Sequence, residues 1–560
     1  MADHQTKTLH HPVSGADVAG ITRQLKSALP KQKMKPVITE IGEVVYVGDG
    51  ICKIKGLPSA HMEDLVEIQT RSGEVVRAMI LGLQPDVIES VVLGDYSQVR
   101  QGDVVRSRGD VMQIPTGDSV LGRVINPLGD PIDGGPAIRT NHMRPIENPA
   151  PGVAKRKPVT EQFETGVLVV DTLIPLGKGQ RELVIGDRKS GKTTLMSSFI
   201  INQKGKGVFC VYVAIGAQKA KIRAMEQKLR DNGAMEYTVI VMGGSDDPPS
   251  MNYLAPYAGA AIGEEFMFTG HDAIVIYDDL SRHAKAYRQM SLLLKRSPGR
   301  DAYPGDIFYL HSRLLERSCR VLPQYGGGSL TGFPMAETQN GDVSEYICTN
   351  LMSITDGHIY LDVNFLHEGI LPAVNSSVSV SRIGGGVQPP CLRKLGEIAS
   401  KQMARYLEVK SFETINTEIS EETENEIKTG KRLLEIFSQD QKECLTNDEK
   451  TLLLHLVTSG ISNAMELSEL KELKVEFIAF YRAGKYEEFR KLALEEKELD
   501  NLIPKMMAIF EEYAAQSQLA GAKYLVQAPV VEEKALPMVP NPLDPTKVEA
   551  AGTPTKPEDK

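Results

Sequence analysis

The run Gly186–Asp187–Arg188–Lys189–Ser190–Gly191–Lys192–Thr193 constrains this chain more than any other feature. It fits GxxxxGK[ST], follows the apolar run Glu182–Ile185 and opens a helix-like stretch. Strand, tight turn and helix in succession are the unit from which parallel α/β sheets are built. Glycines let successive N–H groups turn inward around phosphate oxygens. The helix N-terminus adds its partial positive charge. Lys192 is placed to reach the outer phosphates of a nucleotide, and the Thr193 hydroxyl to ligate Mg²⁺. The expected phosphate cradle therefore runs from Gly186 through Thr193 to Thr194.

The surroundings agree. Arg181–Ile185, Val208–Ile215, Val239–Met242 and Ala273–Tyr277 read as buried strands, with helical patterns at Lys192–Ile201 and Ala220–Arg230 between them. The strand Ala273–Tyr277 ends in Asp278 and Asp279. A carboxylate at that end of a strand is placed to hold Mg²⁺ through its water shell. Asp278 takes that role here, and Asp279, just before Leu280–Ser281, reads as a helix cap.

Around this centre the periodicity changes twice. Residues 37–107 carry short β-rich runs separated by breaks such as Gly48–Asp49–Gly50 and Ser72–Gly73, the pattern of a small antiparallel barrel. The α/β segment spans 108–388. Residues 389–525 are helical, with Leu467, Leu470, Leu473, Phe477 and Phe480 spaced by three and four. Residues 1–36 hold one amphipathic helix with Val18, Ile21, Leu25 and Leu29 on a face, and 526–560 read as a disordered tail. A net charge of -9 argues against a nucleic-acid partner. No apolar stretch is long enough to span a membrane, and the six scattered cysteines form no CxxC pair.

Longer strings are more specific. Tyr277–Asp278–Asp279–Leu280–Ser281–Arg282, Ala286–Leu294, Tyr303–Pro304–Gly305–Asp306, Tyr309–Arg317, Glu337–Thr338–Gln339 and Ser353–Gly357 resemble the alpha subunits of F-type ATP synthases. The resemblance covers Ile38 to about Gly484. It implies a barrel, a central nucleotide-binding domain and a helical bundle. It also implies ATP or ADP with Mg²⁺ as ligands, and a ring in which three copies alternate with three catalytic beta subunits. The further partners it implies are a central gamma rotor stalk, a peripheral stator (delta or its equivalent, and b) and an ion-conducting membrane sector. The location implied is the face of a membrane, with the cytoplasmic face of a bacterial inner membrane favoured over the mitochondrial matrix or a thylakoid.

The resemblance also assigns residues. Arg382, in Ser379–Gly385, matches the arginine finger that reaches into the neighbouring catalytic site. Gln439 and Gln441 match the pair that hydrogen-bonds the base. Catalytic subunits carry a Glu after the strand that follows the phosphate-loop helix, where alpha subunits usually have Gln. Here Ala217 stands at that place, with Gln218 beside it. An Ala methyl neither takes a proton nor orients water. The expectation is a site that binds without hydrolysing, with Glu337 the remaining candidate base. Leu371, in Gly369–Ile370–Leu371–Pro372–Ala373, replaces the family's basic residue, and Lys189–Ser190 replace its usual Gln–Thr. Two other readings stay open: an active hexameric motor, either a secretion ATPase or an RNA translocase, and a regulatory nucleotide-binding paralogue.

Overall fold

The computed structural model describes residues 40–410 and 420–525. The expected helix at Val18–Leu29 and the tail 526–560 lie outside the described residues.

Six strands close the N-terminal barrel: β1 (Glu40–Gly48), β2 (Ile51–Lys55), β3 (Asp64–Gln69), β4 (Val75–Leu83), β5 (Ile88–Val92) and β6 (Val104–Val111). Their order around the barrel is β1-β2-β5-β4-β3-β6. Closure removes the unpaired edges that an open sheet of this size would expose. In β3, Asp64, Val66 and Ile68 point inward while Leu65, Glu67 and Gln69 are half-buried, the alternation of a one-sided sheet. Asp49 and Gly50 join β1 to β2, both with positive φ (52° and 81°). That is the conformation a two-residue hairpin needs, and Asp-Gly is well suited to it.

The central domain contributes β7 (Gln113–Pro115), β8 (Val124–Ile125), β9 (Met143–Pro145), β10 (Glu182–Gly186), β11 (Val208–Ala217), β12 (Thr238–Gly244), β13 (Asp272–Asp278), β14 (Ser329–Glu337), β15 (Gly357–Leu361) and β16 (Val380–Ser381). β7 and β9 form a separate antiparallel pair. The other eight make one sheet in the order β16-β15-β10-β14-β13-β11-β12-β8. Its pairings are parallel except β15 with β16. Helices cover both faces, so β10, β12 and β13 are apolar along almost their whole length. The helix Pro249–Phe268 lies against the sheet through small residues. A Cβ on Gly259 would sit 2.2 Å from Val213 Cγ2, so only glycine allows that approach.

Buried ion pairs tie the layers together. Arg317 forks onto Glu264 at 2.8 and 2.9 Å, both side chains 1% exposed. At the joint with the barrel, Arg313 donates to Glu63 of the barrel at 2.9 Å and to Tyr253 Oη at 2.8 Å. Glu147 lies 3.4 Å from the same guanidinium, yet its Oε1 is buried with no hydrogen-bond partner among the described residues. Burial, opposed by Arg313, pushes the Glu147 carboxyl up to about 7. Folding therefore tightens proton binding between the ordinary 4.5 and about 7. The stability this protonation supplies is full at the acidic end and is lost as pH rises through that window. Glu147→Gln is expected to flatten this slope, so that thermal melts from pH 5 to 8 show the variant gaining on wild type with rising pH. Parallel pH profiles would contradict the assignment.

The C-terminal helices are Pro390–Val409, Glu421–Phe437, Asn447–Thr458, Leu467–Ala483, Glu487–Glu495 and Leu499–Gln516. A capping box, Thr446 with Glu449, starts the third. In Leu467–Ala483 the buried face is Leu470, Leu473, Lys474, Phe477, Ile478 and Tyr481, rotated from the expected stripe. Leu467, in the first turn, is 39% exposed. One apolar cluster runs without a break from Val167 and Phe199 of the central domain into Leu452, Leu470 and Phe510 of the bundle.

Candidate nucleotide site

β10 ends at Gly186, where the chain turns away from the sheet with φ 157°. A Cβ there would lie 2.6 Å from the Leu361 carbonyl. Gly191, at φ 98°, is the cap before the helix Lys192–Ile201, and nothing lies within 4 Å of the place its Cβ would take. At Gly186 a side chain would collide, and at Gly191 the left-handed backbone disfavours one. Lys189 adopts φ 64° without being glycine. The Lys192 ammonium is nearly buried and donates to the Gly186 and Asp187 carbonyls at 2.6 and 2.7 Å. Burial lowers its pKa, against the pull of Asp279, Glu337 and Asp278. Ser190 Oγ is buried inside the loop with no hydrogen-bond partner among the described residues.

The Asp187 side chain turns away from the loop's hollow. It accepts from Thr338 Oγ1 at 2.6 Å and from the Gly341 amide at 2.9 Å, pinning the segment after β14 to the loop. Its contribution to a phosphate cradle is therefore its backbone. No local sequence signal announces this contact, because the partners lie about 150 residues apart.

Thr193 and Asp278 lie side by side. Thr193 Oγ1 is 3.4 Å from Asp278 Oδ2, and the Tyr212 hydroxyl donates to that same oxygen. Burial pushes the Asp278 carboxyl up, while Tyr212 and Arg282 hold it down. A hydroxyl and a carboxylate side by side are hard oxygen donors, which suits Mg²⁺. Tyr212, which orients this carboxylate, escaped the sequence reading because a Tyr inside an apolar run reads as core. Asp279 Oδ1 caps the helix Leu280–Leu293 through the Ser281 amide at 2.8 Å, the role expected of it.

Ala217 is the last residue of β11 and is 6% exposed. Gln218 starts the next helix without capping it. The candidate base Glu337 ends β14, beside Gly186 in register. Arg188 Nε donates to its Oε2 at 2.9 Å, and Arg282 Nη2 lies 3.6 Å from Oε1. Burial alone would raise the Glu337 carboxyl, but the Arg188 hydrogen bond and both guanidiniums win and hold it below its ordinary value. A carboxylate stabilised in this way is a weak proton acceptor.

On the other side of the loop a second hollow is lined by Ser190, Gly191, Thr194, Leu361, Leu371 and Pro372, and by the segment Gln439–Cys444. The Gln439 amide donates to the Leu371 carbonyl at 2.7 Å, so the bundle and the Pro372 loop close this hollow together. Gln439 and Gln441 both reach it, although the Gln439 carboxamide is engaged with the backbone of Gly166, Leu168 and Glu443. Leu371 is 46% exposed and offers an apolar wall where a polar group was expected by resemblance. A phosphate loop with an apolar slot at its flank is the shape of a nucleoside phosphate.

Arg382 stands apart from this site. It follows β16, the antiparallel edge strand, and its amide donates to the Asp356 carbonyl at 2.9 Å. Its side chain is exposed, and among the described residues the guanidinium makes no hydrogen bond or ion pair.

A closed barrel, a largely parallel sheet with a phosphate loop, and a helical bundle follow one another along the chain. Family comparison agrees segment by segment. Residues 37–109 match "ATP synthase alpha/beta family, beta-barrel domain", 166–381 its "nucleotide-binding domain", and 388–513 "ATP synthase alpha/beta chain, C terminal domain". The chain is 44% identical over 480 residues to the ATP synthase subunit alpha of Petrotoga mobilis, covering 84% of this chain and 95% of that protein. It is also 44% identical over 484 residues to the subunit alpha of Caldanaerobacter subterraneus subsp. tengcongensis, covering 86% and 95%. The chain belongs to the ATP synthase alpha/beta family, and these relatives are alpha subunits.

Proposed function

We propose that this chain is the non-hydrolysing alpha subunit of a rotary ATP synthase. It holds Mg-ATP in its own site and lends Arg382 to the catalytic site of an adjacent beta subunit. Backbone N–H groups from Asp187 to Thr194, with Lys192, would hold the phosphates. Thr193 directly and Asp278 through water would hold Mg²⁺, which neutralises phosphate charge when bound. The observation that carries the non-hydrolysing reading is the pairing of Glu337 with Arg188 and Arg282, together with a methyl at Ala217. Water entering this site meets no free carboxylate at either strand end. Nucleotide held here stabilises the ring by linkage rather than by turnover.

The proposal extends to the assembly that the sequence resemblance implies: a ring alternating with beta subunits, a gamma stalk, a stator of delta and b type, and an ion-conducting sector. No helix among the described residues is long and apolar enough to cross a membrane. Attachment to a membrane, at the cytoplasmic face in a bacterium, would then run through those partners.

Lys192→Ala tests the site. Mg-ATP affinity of the full chain should fall roughly 10- to 100-fold, the weight of hydrogen bonds to a charged group. Wild-type chain alone should hydrolyse ATP far more slowly than the assembled ring. Turnover by the isolated chain at the ring's rate would sink the proposal.

A further inference from the structure

The edge strand that leads to Arg382 lies against a patch whose charges are already matched. Gly357 pairs with Ser381, and the Arg382 amide extends this antiparallel ladder by one bond, onto the Asp356 carbonyl at 2.9 Å. Asp356 and Arg382 therefore stand opposite each other. Residues so placed carry their Cβ atoms on one face, roughly 4.5–5.5 Å apart, within reach of an ion pair. Yet the Arg382 guanidinium stays unpaired among the described residues, because the Asp356 carboxylate is taken. Arg181, just before β10, holds it with three donors. Its backbone amide and its Nε reach Oδ2, both at 3.0 Å, and Nη2 reaches Oδ1 at 2.9 Å. The Asp356 amide returns a bond to the Arg181 carbonyl at 2.8 Å.

The other acids nearby are also accounted for. Glu316 accepts from Arg181 Nη1, and its second oxygen lies 2.8 Å from Arg156 Nη2. Arg181 and Arg156 thus serve Asp356 and Glu316, charge for charge. Glu182 lies beneath Gly357, where a Cβ would come 2.6 Å from its Oε2. It is fully buried, and burial, helped by Asp356, pushes its carboxyl well above the usual range, against Gln180 and Arg382. A carboxyl that keeps its proton offers Arg382 no counter-charge. Arg382 is the cation left over. We propose that Arg181 is a positioning residue for Arg382: by occupying Asp356 it stops the finger from folding back onto its own subunit, and so leaves it extended toward the phosphates of the neighbouring site. The proposal deepens the arginine-finger reading above and rests on it. The planar fork matters here, because a lysine ammonium is a point charge and cannot hold both carboxylate oxygens in this geometry.

The test is steady-state ATP hydrolysis by rings assembled with variant chains, scored as turnover per assembled ring. Arg181→Met should lower kcat roughly 10-fold or more, the weight of a hydrogen bond to a charged group. KM for ATP should not change, since the finger meets charge that develops only in the transition state. Adding Asp356→Asn removes the captor and keeps an oxygen for the backbone amide at position 181. It should bring kcat back to within about threefold of wild type, the release of a captured finger. An Arg181 that merely props the turn would show the reverse, a deeper loss in the double variant, which overturns the proposal. An Arg181→Met ring that keeps its rate also overturns it. Arg181→Lys should lose less than Arg181→Met, and takes its place in the same comparison where the Met variant does not assemble. In an Arg382→Ala background Arg181→Met should slow the ring no further; an added loss there would mean that Arg181 acts through something other than the finger. An Arg382→Ala ring at full rate would defeat the finger reading itself. A slow Arg382→Ala ring beside an unaffected Arg181→Met ring would defeat only the role given to Arg181.

Discussion

Arg382→Ala is expected to slow ATP hydrolysis by the assembled ring by about 10³-fold or more while leaving nucleotide binding in this subunit intact. A guanidinium brought across an interface is worth roughly 10³–10⁵ in rate to phosphoryl transfer, because it meets negative charge as that charge develops. The structure provides what such a group needs. Arg382 is exposed, has no ion pair among the described residues, and directly follows a two-residue edge strand, where the Ser381–Gly357 register and the Arg382–Asp356 backbone bond fix it. Arginine also matters for its planar fork, so Arg382→Lys should recover little of the loss. The informative pair of measurements is ring turnover and Mg-ATP binding to the isolated chain. If turnover in the Ala variant stays within about threefold of wild type, Arg382 is a solvated surface charge and the proposed division of labour fails; the scale of the expected loss sets this threshold.

The second large effect concerns folding. Lys450→Met should destabilise the chain by about 3–5 kcal/mol, the usual cost of removing one partner from a buried ion pair. Lys450, at the start of a bundle helix, is fully buried and donates to Asp171 of the central domain at 2.6 Å. Asp171 is equally buried and also accepts from the Thr165 and Gly166 amides at 2.9 Å. Burial alone lowers the Lys450 pKa, but Asp171 and Glu164 outweigh it and keep the ammonium charged beyond its ordinary range. Without Lys450 the Asp171 carboxylate keeps its backbone donors and loses its counter-charge. Pairing Lys450→Met with Asp171→Asn should cost less than the single change, since no orphan charge remains and the Asn oxygen still accepts from a backbone amide. Denaturant melts of wild type and the two variants decide it. A Lys450→Met loss below about 1 kcal/mol would place this pair with solvent-screened ones. The turn that Asp171 holds leads to Val167, a wall of the base slot, so nucleotide affinity should weaken along with stability.

Much of this molecule can be read before any coordinates. Parallel strands buried on both faces must be apolar throughout, so β10, β11, β12 and β13 announce themselves, and the loop after β10 follows from its glycines. Asp278 is legible because a carboxylate ending such a strand has few other reasons to be there. The barrel is legible from short alternating runs and the Asp49–Gly50 turn. What escaped is contact between distant segments. Nothing in the sequence says that Glu337 faces Arg188, that the Asp187 side chain serves Thr338 and Gly341, or that Gln439 exhausts its amide on the backbone. Nothing local marks Lys450 and Asp171 as a buried pair, because burial of an ion pair depends on what closes over it. The rotation of the Leu467–Ala483 face has a similar cause. Its Lys474 is buried in the core-facing stripe, where its ammonium donates to the Ser438 carbonyl, and a hydrophobic pattern alone gives no weight to it.

The five residues of β15 do two jobs at opposite ends. At Leu361 the strand borders the slot where a base would sit, and at Gly357 it carries the edge strand from which Arg382 emerges. On the proposed function, one short strand joins the pocket that would hold nucleotide to the residue offered to the neighbouring subunit, and filling the pocket is expected to steady Arg382 there.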